Sequence, residues 1–141
     1  MESYPDKKTG ALKGRYEMTV DDTHEPYIRP QENGAHEDCT FAVLADTRGT
    51  ALMVKGEDFS FSAHHYTPEM LTAVRHTYEL GREDKVTLLL DGRMGPLGSN
   101  SCGPEPEEKN RLYLKEEKVF RFAFLAFDMQ GLSVDGAAKA L

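Results

Sequence analysis

The stretch Val119 to Phe127 constrains this chain more than any other. Phe120, Phe122 and Phe124 alternate along one side of it, and Ala123, Leu125 and Phe127 fall on the other. Successive side chains of a strand point to opposite faces. An apolar set on both sides therefore predicts a strand covered on both faces, as at the centre of a packed sandwich. Each uncovered Phe would leave on the order of 150 Å² in water. At about 25 cal/mol per Å², two such rings cost several kcal/mol, comparable to the stability of a domain. The chain must then close a core of its own, with residues 1–37 serving as part of the lid, or associate through an exposed apolar face or sheet edge, as in a homo-oligomer.

The chain's 141 residues give room for one domain. Seventeen Lys and Arg against 24 Asp and Glu leave a net charge of −7, which repels phosphate backbones and anionic lipid. Nucleic acid and membrane are thus not expected as partners. No apolar run approaches the roughly 20 residues of a membrane helix, and Met1 to Asp6 lacks a basic-then-apolar leader. Cys39 and Cys102 are too few for a disulfide scaffold and stand in no CxxC or His/Cys ligand spacing. Together these features imply a reducing cytoplasm and no cofactor in this chain.

Residues 1–37 are rich in Gly, Pro, Asp, Glu and Asn, with Tyr4, Tyr16, Val20, Tyr27 and Ile28 at irregular intervals. That composition reads as an ordered arm laid across a surface. Within it, Pro26 and Pro30 push their predecessors toward extended backbone, and Asn33-Gly34 marks a tight reversal. From Cys39 onward, short strand-like runs alternate with turn residues. These are Thr40 to Ala45, Asp46 to Gly49, Ala51 to Val54, Gly56 to Asp58 and Phe59 to Ala63, and they predict an antiparallel meander. Thr67 as N-cap, Pro68, Glu69 and Gly81 frame one principal helix over residues 67–80, with Met70, Leu71, Val74 and Tyr78 on one face. Lys85 to Leu90 is a further strand. Arg111 to Leu114 and Val119 to Phe127 read as a last pair, and residues 129–141 as a tail with little structure.

Several of these segments, in order, resemble the C-terminal, small-chain domain (domain 5) of bacterial β-galactosidases of glycoside hydrolase family 2. They are Ser3-Tyr4-Pro5-Asp6, then Glu25 to Gly34 (EPYIRPQENG), then Phe59-Ser60-Phe61-Ser62-Ala63 ahead of Tyr66-Thr67, His76, and Leu90 to Gly95 (LDGRMG) running into Asn100-Ser101-Cys102-Gly103-Pro104. The resemblance implies an all-β fold, an antiparallel β-sandwich of the galactose-mutarotase-like (supersandwich) type with one short helix. Residues 1–128 would form the C-terminal portion of that domain. It also implies a parent enzyme that hydrolyses terminal β-D-galactosides such as lactose, with the catalytic and other domains of that enzyme as partners. In the family the loop around Asn100, Ser101, Cys102 and Gly103 helps wall the substrate pocket, and some members place Trp at the position matching Cys102. This chain has no Trp, so it offers no aromatic platform there.

The resemblance further implies that both catalytic glutamates lie in a barrel domain outside this chain, so no catalytic residue is expected within it. Glu105, Glu107 and Glu108 sit in a Pro-rich loop that does not fix the separation of about 5 to 5.5 Å a retaining pair needs; they read as a solvated acidic loop. His64 and His65 are adjacent, so on an extended chain they face opposite ways, which disfavours a shared metal ion. Arg29, Gln31, Glu32 and Asn33 are expected to tie down the arm by hydrogen bonding. A free-standing carbohydrate-binding sandwich is the alternative reading.

Overall fold

The turn expected at Asp46 to Gly49 joins two strands, β1 (His36–Ala45) and β2 (Thr50–His64). The Asp46 carboxylate closes it by accepting from the amides of Arg48 (2.9 Å) and Thr50 (2.8 Å), and Gly49 takes the positive φ of 95° that the reversal requires. The computed structural model describes residues 2–6, 12–97 and 105–141.

Two further strands pair antiparallel with β2. Strand β3 (Thr87–Asp91) runs along Ser60 to His64, and β4 (Ala123–Asp128) along Thr50 to Lys55. The sheet order is β1-β2-β3, with β4 also on β2. The fold is of the all-β, antiparallel class expected for a sandwich, with short helical pieces among the described residues: α1 (Pro68–Ala73), α2 (Val134–Ala140) and three single turns of 3₁₀ helix.

The chain divides into two compact units. One comprises Met1–Glu37 and Ser60–Leu112, the other Asp38–Phe59 and Tyr113–Leu141. In the second unit the register places Met53 opposite Leu125 and Ala51 opposite Phe127. Helix α2 buries Val134 and Ala137 against Met53, with Phe41, Val43, Leu125, Phe127, Leu132 and Ala138 packed around them. Ser133 caps α2 by accepting from the Gly136 amide, and Lys55 Nζ donates to the Ala138 carbonyl at 2.7 Å, a cation placed where the helix dipole is negative.

Five expectations are corrected. Residues 51–63 form one strand instead of two with a turn between. Gly56-Glu57-Asp58 is not a two-residue hairpin signal, and the chain absorbs it as a local irregularity with Asp58 at φ +44°, a conformation that Asp tolerates better than most residues. The helix expected over 67–80 stops at Ala73. Val74 is extended, and the Glu79 carboxylate takes the amides of Arg75 (2.7 Å) and His76 (3.0 Å), which a continuing helix would have used internally. The last strand starts at Ala123, not Val119, and Arg111 to Leu114 joins no ladder. Strand β4 is covered on one side only: Leu125 and Phe127 pack inward, while Phe124 is 55% exposed, as is Phe120 before it. It is therefore not a central strand closed on both faces. Finally, the segment read as a tail with little structure holds α2.

Candidate functional site

The first unit concentrates its buried polar groups where the arm meets the end of β2, and the Asn33-Gly34 reversal organises them. Asn33 is buried. Its side-chain oxygen accepts from the Glu25 amide at 2.9 Å, and its Nδ2 donates to the Gln31 carbonyl at 2.9 Å. The segment thus ties itself together where Pro26 and Pro30 leave few backbone partners. The Asn33 carbonyl accepts from His64 Nε2 at 2.7 Å. Because a carbonyl only accepts, the His64 proton sits on Nε2, and the buried Nδ1 has no hydrogen-bond partner among the described residues.

Gly34 follows at φ +70°. A Cβ there would lie 2.3 Å from the Thr23 carbonyl and 2.8 Å from His64 Cε1, so only glycine fits. Its amide donates to Glu2 Oε2 at 2.8 Å, and Glu2 also accepts from the hydroxyls of Tyr4 and Tyr27. Burial works to raise the Glu2 carboxyl, but the three donors outweigh it and hold the group below the usual carboxylate range. The same contacts act in reverse on the phenols. The hydrogen bond to Glu2, with burial, pushes Tyr27 up to about 12, and burial with the Glu2 charge raises Tyr4 further. Every donor around Glu2 is used in fastening, which suits a brace and not proton transfer. Replacing Glu2 with Gln should cost about 1.5–3 kcal/mol, because charge-assisted bonds become neutral and the amide brings a donor among donors. Urea denaturation of the variant measures this, and an unchanged midpoint would contradict the bracing role.

Three other histidines share this region. His24 packs edge-on to His64, with ring centroids 5.7 Å apart, and lies tilted on Tyr66. His36 stacks on Phe61 at 5.1 Å. His65 Nε2 accepts from Arg82, which also pairs with Asp21, and His65 Nδ1 lies 3.2 Å from the Lys85 carbonyl. Burial is the first cause that lowers His24 and His36 from the ordinary imidazole value. Beside His64 a cavity of about 10 Å³, bordered by Asn33, Ser62, Tyr66, Leu71 and Leu89, has room for one water at most and none for a sugar ring.

Two carboxylates of this unit reach the loop that follows β3. Glu37 accepts from the Met94 amide and Asp6 from the Leu97 amide, each at 3.0 Å. Asn100, Ser101, Cys102 and Gly103, the expected pocket-wall residues, lie outside the described residues. Glu105 and Glu108 both pair with Arg111, and Glu107 pairs with Lys109. His76 is an exposed cap of the 3₁₀ turn Thr77–Glu79 and stacks on Tyr78. Sequence reasoning had no means of finding Glu2, the centre of the brace: its partners Tyr4, Tyr27 and Gly34 are up to 32 residues away. Among the described residues there is no group of three His, Cys, Asp or Glu able to hold a metal ion. No helix there is long and apolar enough to cross a membrane.

An antiparallel all-β domain whose polar cluster braces an irregular arm is the class of protein these features define. Comparison with known proteins makes it specific. Residues 1–125 match the family described as beta galactosidase small chain, and this protein belongs to that family. It is 40% identical over 118 residues to a beta-galactosidase of Actinobacillus pleuropneumoniae, covering 84% of this chain and 11% of that one. It is 38% identical over 110 residues to one of Staphylococcus xylosus, covering 78% and 11%. A beta-galactosidase of Vibrio cholerae is 42% identical over 104 residues, covering 71% and 9%. The chain thus spans about 11% of the length of the first two relatives.

Proposed function

We propose that this chain is a non-catalytic, C-terminal portion of the small-chain domain of a cytoplasmic glycoside hydrolase family 2 β-galactosidase, within a galactose-mutarotase-like sandwich. The parent enzyme cleaves terminal β-D-galactosides of the lactose type by the retaining route. The loop at Asn100, Ser101, Cys102 and Gly103 contributes to the wall of its substrate pocket. The observation that carries this reading is the match of residues 1–125 to the small-chain family, together with relatives of which the matched segment makes up only 11%. Exposed apolar side chains support it, since Leu114 at 88%, Phe120 and Phe124 need cover that other parts of such an enzyme would supply.

The purified chain is expected to show no turnover of a chromogenic galactoside, since the two carboxyl groups of a retaining glycosidase would reside elsewhere in the parent. Activity surviving controls for host enzyme would refute the assignment. Sequencing the flanking DNA tests the same reading independently, with an upstream frame continuing into a barrel domain as the expected result. A tight, localised response to galactose in an NMR titration would instead favour a free-standing carbohydrate-binding module.

A further inference from the structure

Four of the chain's five histidines, His24, His36, His64 and His65, gather where the arm meets the end of β2. We propose that the arm is an acid-released strap, docked on the sheet while the His24 and His36 imidazoles are neutral and detached when they take up protons.

The geometry gives His24 and His36 a reason to resist protonation. His64, against which His24 packs, is buried and donates through Nε2 to the Asn33 carbonyl, with Glu32 bordering the cavity beside it. His24 lies against His64, so charging both sets like charges together; Glu25 and Asp21 are the acidic groups acting on it in the opposite sense. His36 is held down first by burial, its ring stacked on Phe61; the Gly34 backbone and the Glu2 carboxylate favour its charge, the amino terminus and His64 oppose it, and burial prevails. Both rings therefore favour the same outcome, and they bear on one segment.

The direction of the pH effect follows. His24 and His36 lie below the ordinary value of 6.5 when docked, so the released arm binds protons that the docked arm refuses. Docking is fully present above pH 6.5 and is lost as pH falls through the depressed values. Glu2 acts in the same sense in a lower window, below 4.5. The device stands on this chain's own contacts and is independent of the enzyme reading.

Hydrogen exchange on the full chain at about pH 7.5 and about pH 5.5, corrected for intrinsic rates, tests it. The reporters are the amides of Glu25, Gly34 and Glu37, which donate to Asn33, Glu2 and Ser3, with the Leu125 amide of β4 as reference. Opening coupled to one proton should rise about tenfold per pH unit within the window. The expected result is a loss of about tenfold or more in arm protection, with the reference unchanged. A doubly substituted protein, His24→Gln with His36→Gln, should lose most of that response. If that variant does not fold, the ring protons of His24 and His36 in the unaltered protein must titrate in step with arm opening. Equal protection of the arm at both pH values, loss in parallel with Leu125, or ring titration out of step with opening would each overturn the proposal.

Discussion

Replacing Gly34 with Ala is expected to destabilise the chain by about 2–5 kcal/mol, which is much of the stability of an ordinary domain. Two costs add. The positive φ of 70° charges an L-residue about 1–2 kcal/mol. The new Cβ would also sit 2.3 Å from a backbone carbonyl, that of Thr23, and 2.8 Å from a buried imidazole. No rotamer change relieves a clash with backbone, and overpacking of this kind typically adds about 1–3 kcal/mol. Gly49→Ala is the control. Gly49 also has positive φ, but the nearest atom to its added Cβ is Asp128 Oδ1 at 3.6 Å, an ordinary contact. Its cost should be confined to the backbone part, about 1–2 kcal/mol. Chemical denaturation of the pair isolates the clash as the difference between them. Equal losses would mean that Gly34 is not pressed between Thr23 and His64.

The Asn33-Gly34 reversal was legible because two features coincide: prolines that enforce an extended approach, and a dipeptide that accepts positive φ. The brace around it was not, because no local rule couples Glu2 to Gly34 or Tyr27. Such pairings are settled by where the arm lands, not by spacing along the sequence. The meander failed at Gly56-Glu57-Asp58 for a related reason. Turn-favouring residues also suit an irregularity inside a long strand, and what decides is whether a partner strand lies opposite, here β4 before the irregularity and β3 after it.

The alternation over Val119 to Phe127 gave strand character that holds only from Ala123 onward, and it did not give the burial. Binary pattern states which side chains want cover, and in this protein Phe120 and Phe124 do not receive it. The candidate pocket residues Asn100 to Gly103 were reached only by resemblance. A loop of Gly, Ser, Asn and Pro carries no periodicity from which a role could be derived.

Helix α2 carries its own signals in the sequence. Ser133 is a good N-cap, Asp135 lies in the first turn and Lys139 in the last, and Val134, Ala137, Ala138 and Leu141 recur at helical spacing. Gly136 and the small side chains hide the pattern. A Cβ on that glycine would meet the tip of the Leu132 side chain at 2.8 Å, a contact that a rotamer change can relieve.

Ala137→Asp tests what the helix does. Ala137 is fully buried against Met53, where an unpaired carboxylate costs far more than a seven-residue helix gains by docking. The variant should therefore undock α2 in preference to burying the charge, so the measured loss reports the docking free energy. Val134 returning to water accounts for about 1.5–3 kcal/mol. The Lys55 bond to Ala138 accounts for about 1 kcal/mol. Uncovering Met53 adds about 1 kcal/mol more, giving a loss of about 3–5 kcal/mol. Oxidation mapping supplies a second readout, local to the site. Met129, 43% exposed, should react with peroxide in both proteins, whereas Met53, with no exposed surface, should react only in the variant. If Met53 stays protected while Met129 oxidises, α2 is not the cover of this core, and the sheet of the second unit must be closed by other residues.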